Sequence, residues 1–299
     1  MTLLVKAGSY TGNGSDPQAI TGVGFQPKVV FIMGNSTAVG QILTDTMSSS
    51  FDMQSGGGSN VIASLNADGF TVNGVKNTNA VTFYYLALAG ADCITGTYTG
   101  NATVRDITGL GTQPEWVLIR GETSGVALHS HAGFSGIYAG YAQNLVSTSS
   151  YSGAIDGFIA DGFSITGTNV VNRSGSTFNY VAIGDLANFK AGSYTGNGTD
   201  DTDITGLGFD PESVLLGRLN QNRVWRTGEA GDLTSTPNAS NAVANRIQAF
   251  ITDGFEIGTD QTVNTSAVEY FYVAFGEAPA STFTASPLMH LMGVSGGLF

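Results

Sequence analysis

The heptapeptide GSYTGNG at residues 8–14 sets the architecture, because the chain repeats it once with two changes and once unchanged. The later copies are GTYTGNA at residues 96–102 and GSYTGNG at residues 192–198. A turn of the form Ile-Thr-Gly-x-Gly-x-x-Pro follows each copy and leads into a short apolar run. These turns lie at residues 20–27, 107–114 and 204–211. Internal repetition fixes an architecture before any residue has a role, so the sequence predicts three copies of one module.

The spacing of the copies sets the size of the module. Tyr98 follows Tyr10 by 88 residues, and Tyr194 follows Tyr98 by 96 residues. Units of this length can each bury a core, whereas solenoid repeats run at about 20–50 residues. We therefore predict three tandem modules of about 90–95 residues and a C-terminal tail. The predicted boundaries are 1–91, 92–187 and 188–277 for the modules and 278–299 for the tail.

Strand and turn signals recur in every module. An Asp-Gly pair lies between alternating apolar residues at Asp68, Asp161 and Asp253, which is a strong hairpin signal. The tyrosine of each heptapeptide is predicted to face inward. The sequence therefore indicates an all-β fold in which each module is an antiparallel β-sandwich of roughly six to eight strands. Residues 238–250 are the one stretch whose pattern would also suit a helix.

Composition argues against several classes of function. Charged residues make up 11% of the chain, the net charge is −12, and the eleven basic residues are scattered. Phosphate backbones and anionic membranes both attract clustered Lys and Arg, so we expect neither nucleic acid nor a membrane as a partner. The first residues lack the pattern of a secretory signal, and Cys93 has no second cysteine to pair with. We expect synthesis in a cytoplasm, without disulfides.

Residues 278–299 have no place in the repeat. They end in the apolar sequence LMHLMGVSGGLF at 288–299. Exposed apolar surface of this kind marks an interaction site, so we expect this tail to dock on the third module or on another chain. The candidate docking residues are Leu288, Met289, Leu291, Met292, Leu298 and Phe299.

Two patterns suggest metal binding. Asp201, Asp203 and Glu212 match the spacing of a twelve-residue calcium loop, but the second module has Val104 opposite Asp201 and the first has Ala19 opposite Asp203. His129 and His131, two residues apart, are predicted to project from the same face of a strand. No Cys, Asp or Glu cluster accompanies them, so we expect packing or surface histidines, or one pair per chain at an oligomer axis. No cofactor is predicted.

Catalytic patterns are weak, and we expect no enzymatic activity. No Gly-x-Ser-x-Gly motif precedes a helix, and the Gly-x-Gly turns lack the helix and lysine of a phosphate loop. Paired carboxylates for glycoside hydrolysis stay open at the level of sequence. Trp225 is different from most aromatic residues, because it lies in a variable section between Arg223 and Arg226. These three residues are the candidate contacts for a glycan.

The repeated sequences Tyr-Thr-Gly-Asn-Gly, Ile-Thr-Gly-Leu-Gly-Phe-x-Pro, Asp-Gly-Phe-x-Ile and Tyr-Val-Ala-x-Gly together resemble a module of virion proteins from tailed bacteriophages. The resemblance covers nearly the whole chain apart from the variable sections and the tail. It implies a β-sandwich virion component that is made in the host cytoplasm. It supplies no catalytic residue and does not indicate a position in the virion.

Three functions follow as hypotheses. The first is a capsid decoration or cement protein that packs against other virion proteins, as a homo-oligomer for which a trimer would be suitable. The alternative is a tail-fibre or spike component that binds a host-surface glycan through Trp225 and the variable sections. The third is a polysaccharide-degrading enzyme.

Overall fold

The computed structural model describes residues 3–277, apart from 36–37, 55–57, 124–126, 133, 135–140, 146–147, 239 and 241. The candidate docking residues in 278–299 therefore lie outside the described residues. The described chain is nearly all β, and its sheets are antiparallel. The predicted fold class, antiparallel β-sandwich modules, is confirmed.

Twenty-four strands are present in the described part of the chain. The first module has β1 Leu3–Thr11, β2 Gln18–Thr21, β3 Val29–Ile32, β4 Gln41–Thr44, β5 Phe51–Asp52, β6 Ile62–Asn66, β7 Gly69–Val72 and β8 Thr82–Gly90. The second has β9 Ile94–Thr99, β10 Arg105–Thr108, β11 Trp116–Gly121, β12 Leu128–His131, β13 Tyr141–Asn144, β14 Ser150–Ser152, β15 Ile155–Ile159, β16 Gly162–Ile165 and β17 Thr177–Ile183. The third has β18 Phe189–Thr195, β19 Thr202–Thr205, β20 Pro211–Gly217, β21 Val224–Thr227, β22 Ile247–Ile251, β23 Gly254–Ile257 and β24 Glu269–Gly276.

Helices are short and few among these residues. They are α1 (Asn169–Asn172), α2 (Gln261–Asn264) and the 3-10 turns Gly74–Lys76 and Gly228–Ala230. The helical alternative for 238–250 is wrong: the described part of this stretch forms turns, a bridge at Val243 and the start of β22. Pairing of β22 with β23 satisfies its backbone, and Asn and Val are poor helix formers. None of the described helices is long and apolar enough to cross a bilayer.

The three modules share one topology. Their larger sheets have the strand orders β1-β8-β3-β4-β5, β9-β17-β11-β12-β13-β14 and β18-β24-β20-β21. Their smaller sheets have the orders β2-β7-β6, β10-β16-β15 and β19-β23-β22. Apolar side chains fill the space between the two sheets; in the second module the rings of Phe163 and Tyr180 lie 5.3 Å apart. Each module is thus a sandwich with a core of its own.

The repeated heptapeptide anchors each sandwich. Tyr98 faces inward as predicted; its hydroxyl donates to Val171 O at 2.6 Å and its ring stacks on Phe178. A Cβ on Gly96 would lie 2.3 Å from the hydroxyl of Tyr180, so only glycine fits there. The equivalent hydroxyl bonds join Tyr10 to Lys76 O and Tyr194 to Val263 O. The repeat is therefore conserved within the chain because it closes the fold.

A carboxylate clip holds the loop between the two sheets. Asp161 accepts hydrogen bonds from the N–H groups of Gly109, at 3.0 Å, and Gly111, at 2.6 Å. Both glycines have positive φ, 91° and 74°, which explains why this turn repeats its two glycines. The same clip joins Asp68 to Gly22 and Gly24, and Asp253 to Gly206 and Gly208. The Asp-Gly pair is thus a hairpin turn, as predicted, and also a contact across the module.

The larger sheets bury their second faces against one another. One apolar cluster contains residues from all three modules, including Phe31, Trp116, Leu118, Trp225 and Phe275. The rings of Phe31 and Trp225 lie 5.1 Å apart, and those of Trp116 and Phe275 lie 5.7 Å apart. We call this cluster the shared core. The short strands β3, β11 and β20 are therefore buried on both faces.

Equivalent backbone bonds connect the modules in cyclic order. Ala127 N, before β12, donates to Met53 O of the first module at 3.1 Å. Gly40 N, at the same position before β4, donates to Pro237 O of the third module at 2.6 Å. The two acceptors are also equivalent. Met53 lies two residues after Phe51, which pairs with Ile42, and Pro237 lies two residues after Ser235, which pairs with Trp225 at the equivalent position. Together with the Trp116–Phe275 contact between the second and third modules, these bonds bring each pair of modules into contact.

The tyrosine anchor yields a stability prediction. Tyr98→Phe removes the donor to Val171 O and leaves a buried carbonyl without its partner, so we expect a loss of about 1–2 kcal/mol in the free energy of unfolding. Tyr84→Phe is the matched control, because the Tyr84 hydroxyl makes no hydrogen bond to a described residue. Urea denaturation measures both. Equal midpoints for the two variants would show that the anchor does not stabilise the module.

Candidate functional site

Strand β12 carries a buried pair of histidines at the boundary between the second and third modules. His129 and His131 project from one face, as predicted, with ring centroids 5.9 Å apart. Each side chain is 2% exposed. The His131 ring lies 4.1 Å from that of Phe134 and 6.0 Å from that of Phe271 in β24. Of the readings that the sequence left open, packing histidines agrees with this burial, whereas a surface position or a metal shared at an oligomer axis does not, because both rings face the inside of the chain.

Both histidines are neutral near pH 7. Burial lowers the pKa of His129 well below its ordinary value, and the nearby His131 and Arg223 lower it further. Burial and then Arg223 lower the pKa of His131 to about 3. The indole Nε1 of Trp116 donates to His129 Nδ1 at 3.3 Å. Because an indole N–H can only donate, the proton of the neutral His129 ring lies on Nε2.

The predicted glycan contacts are buried and divided between two faces of β21. Trp225 is 2% exposed, packs on Phe31 and donates its Nε1 to Ser213 Oγ at 2.7 Å. Arg223 lies on the same face and is also 2% exposed. Arg226 lies on the opposite face, 4.7 Å above the ring of Phe250. The prediction of a glycan-contact residue at Trp225 is wrong, because the shared core covers its ring.

Corresponding strand positions explain this burial. The cross-strand partners of Phe31, Leu118 and Leu215 are Ile42, His129 and Trp225. The three larger sheets thus contribute an isoleucine, a histidine and a tryptophan from one equivalent position. Trp225 belongs to a variable section because its counterparts differ, although its position in the fold is fixed.

The three carboxylates of the predicted calcium loop do not converge. Asp203 is opposite Glu256 in the β19–β23 pair, and Asp201 lies nearby in an exposed turn. Burial, followed by these aspartates, raises the pKa of Glu256. Glu212 instead lies in β20, where burial and the nearby Glu277 raise its pKa. The twelve-residue spacing does not form a calcium loop here, because Glu212 lies in strand β20 and not in the turn that contains Asp201. The described residues contain no group of three His, Cys, Asp or Glu that could hold a metal ion.

A buried lysine in the first module escaped the sequence analysis. Lys76 is 0% exposed, and its Nζ donates to Met33 O at 2.8 Å and to Ala38 O at 3.4 Å. Burial lowers the pKa of this amine to about 7. Alignment of the repeats would have found it, because the other modules have Val171 and Val263 at this position.

An open groove lies at the edge of the first module. It has a volume of about 560 Å³ and is lined mainly by polar residues. Its lining includes Gln26, Lys28, Thr44, Asp45 and Ser64. Lys28 is held in place by a hydrogen bond from its Nζ to Cys93 O at 3.0 Å. The groove offers hydrogen-bonding groups but brings no aromatic platform with it.

Comparison with known families finds one match. Residues 185–279, which cover the third module, match a family model described as a domain of unknown function (DUF7483). Comparisons with curated proteins and with solved structures give no significant match. This match covers about a third of the chain and carries no activity with it.

Because Trp225 is buried, its replacement should destabilise the fold, whereas replacement of a surface contact residue would leave stability almost unchanged. Trp225→Ala removes a large side chain from the shared core, so we expect a loss of about 3–5 kcal/mol in the free energy of unfolding. Leu233→Ala is the control, because Leu233 is 42% exposed and surface changes usually stay within about 0.5 kcal/mol. Chemical denaturation separates the outcomes. A Trp225→Ala protein as stable as wild type would mean that Trp225 is solvent-exposed.

Lys76 gives a prediction about pH. Its pKa is about 7 in the folded chain and about 10.4 when unfolded. Between these values the unfolded chain binds more protons, so stability rises with pH, by at most about 1.4 kcal/mol per pH unit. Lys76→Met should be more stable than wild type at pH 7 and should flatten this rise between pH 7 and 9. Lys190→Met, at an exposed position, should keep the wild-type slope. Parallel slopes for all three proteins would contradict a buried, deprotonating amine.

Proposed function

We propose that this protein is a structural component of a tailed-bacteriophage virion and that it works by packing against other virion proteins. One observation carries the proposal: equivalent faces of the three modules meet in the shared core. The residues that the chain repeats are used for scaffold contacts, namely the tyrosine anchor and the carboxylate clip. The resemblance described above points to the same class of protein.

A capsid decoration or cement protein is the form of this role that the architecture favours. Three similar modules that pack together through equivalent faces present similar outer surfaces, which suits a site of threefold or local threefold symmetry. One chain then supplies the three binding surfaces that three separate subunits would otherwise provide. The low proportion of charged residues, 11% of the chain, suits surfaces that are covered by neighbouring proteins. Further self-association and docking by residues 288–299 belong to the same proposal.

A glycan-binding component of a tail fibre is the second candidate. Trp225 no longer supports it, but the polar groove of the first module offers hydroxyl, amide and charged groups that sugars bind. Ser64→Arg would fill this groove from an exposed position on β6. A glycan array with the purified protein would give a signal that this substitution removes.

Purified virions of the phage that encodes the chain test the proposal. We expect the protein to be present in the particles by mass spectrometry and, by cryo-electron microscopy, as three-lobed density on the capsid surface. Density confined to the tail tip would overturn the decoration role and favour the glycan-binding one. Absence of the chain from purified particles would overturn both. A chain truncated after residue 287 should lose incorporation if the tail docks.

A further inference from the structure

Hydrogen-bond donors without acceptors are gathered where the second and third modules meet. The Arg223 side chain is 2% exposed, and its Nε and Nη1 are buried without a hydrogen-bond partner. Its guanidinium lies against Gly217, where an added Cβ would be 2.2 Å from Nη1. A buried guanidinium without an acceptor is costly, so such groups are normally paired.

Two further donors come from the second module. The Nε2 of His129 carries the ring proton, because Nδ1 accepts from Trp116, and this Nε2 is buried without a partner. Gln143 is the cross-strand partner of His129 in the β12–β13 pair. Both the Nε2 and the Oε1 of Gln143 are buried and unpartnered. Directly opposed residues on one sheet face have neighbouring side chains.

Ring contacts bring Arg223 to the same place. Gly217, beneath the guanidinium, pairs with Phe271 in β24. The Phe271 ring lies 6.0 Å from that of His131, which in turn lies 5.9 Å from that of His129. The positive charge of Arg223 also acts on both histidines. These contacts link Arg223 of the third module to the two histidines of the second module across the boundary between them.

No carboxylate balances this charge in the part of the chain that the structure describes. The ion pair found there joins Arg246 to Asp260, at 3.3 Å, in another part of the third module. With both histidines neutral, the cluster has one positive charge from Arg223. It has N–H donors from three side chains and one free acceptor, Gln143 Oε1. An acceptor with a single negative charge would match both this charge and these donors.

We propose that this cluster is a binding site for one small monovalent anion of the halide class, held by Arg223, His129 and Gln143. A multiply charged oxyanion such as phosphate would bring more charge than one guanidinium balances. The burial of all three side chains also excludes an acidic peptide. The anion neutralises Arg223 and ties the second module to the third. The site is independent of any role in a virion.

Halide-dependent stability tests the site. The protein is refolded without halide, and its thermal midpoint is measured in sodium chloride or bromide against sodium gluconate of equal ionic strength. We expect a saturable rise of about 3–6 °C in the halide salts. Arg223→Met should lose this response. Arg120→Met is the control, because the Arg120 guanidinium is held by the carbonyl of Asp52 and lies over Phe51. Equal midpoints in all salts for the wild type would overturn the proposal.

Bromide diffraction provides a test that needs no variant. Wild-type crystals grown in sodium bromide should show an anomalous peak within hydrogen-bond distance of Arg223 Nη1 and His129 Nε2. A water molecule or a protein acceptor at that position, with no anomalous peak, would overturn the proposal even if Arg223→Met failed to fold.

Discussion

The structure depends on one constraint: the central strand of each larger sheet is largely apolar on both faces, and both faces must leave water. The smaller sheet covers one face, and the other face has only the equivalent faces of the neighbouring modules to pack against. Phe31, Trp116, Leu215 and Phe275 meet there in one cluster. Burying apolar area is the dominant favourable contribution to folding, so the modules are held together by the same force that builds each of them.

Within a module, two polar contacts fix the geometry that this apolar packing needs. The tyrosine hydroxyl satisfies a carbonyl at the far end of the sandwich, and the aspartate clip holds the loop that enters the central strand. In the second module these residues are Tyr98 and Asp161. Apolar burial is not directional, so such bonds define how the two sheets are oriented. The repeat therefore preserves the residues that make them and leaves the loops between them free to vary.

The sequence predicted the fold class, the inward tyrosines and the Asp-Gly turns, because period-2 alternation and turn chemistry are local signals. The continuous apolar run Val29–Ile32 signals a strand buried on both sides, but no local pattern indicates what covers its second face. Trp225 was misjudged for that reason, since its partner Phe31 is far away in sequence. Glu212 was wrongly grouped with Asp201 and Asp203, because residues along an extended strand lie further apart in space than the same number of residues in a loop. Lys76 has a signal only when the repeats are aligned, and Gln143 has none in the sequence, since its unpaired state depends on which strands surround it.

Equivalent faces of the three modules pack together, and the contact between Phe31 and Trp225 allows this packing to be measured. A double-mutant cycle with Phe31→Leu and Trp225→Leu measures the coupling between residues of the first and third modules. The structure predicts a coupling of about 0.5–1.5 kcal/mol, the range of a packed aromatic pair. Additive losses in the two single variants, with no coupling, would show that these modules do not share a core.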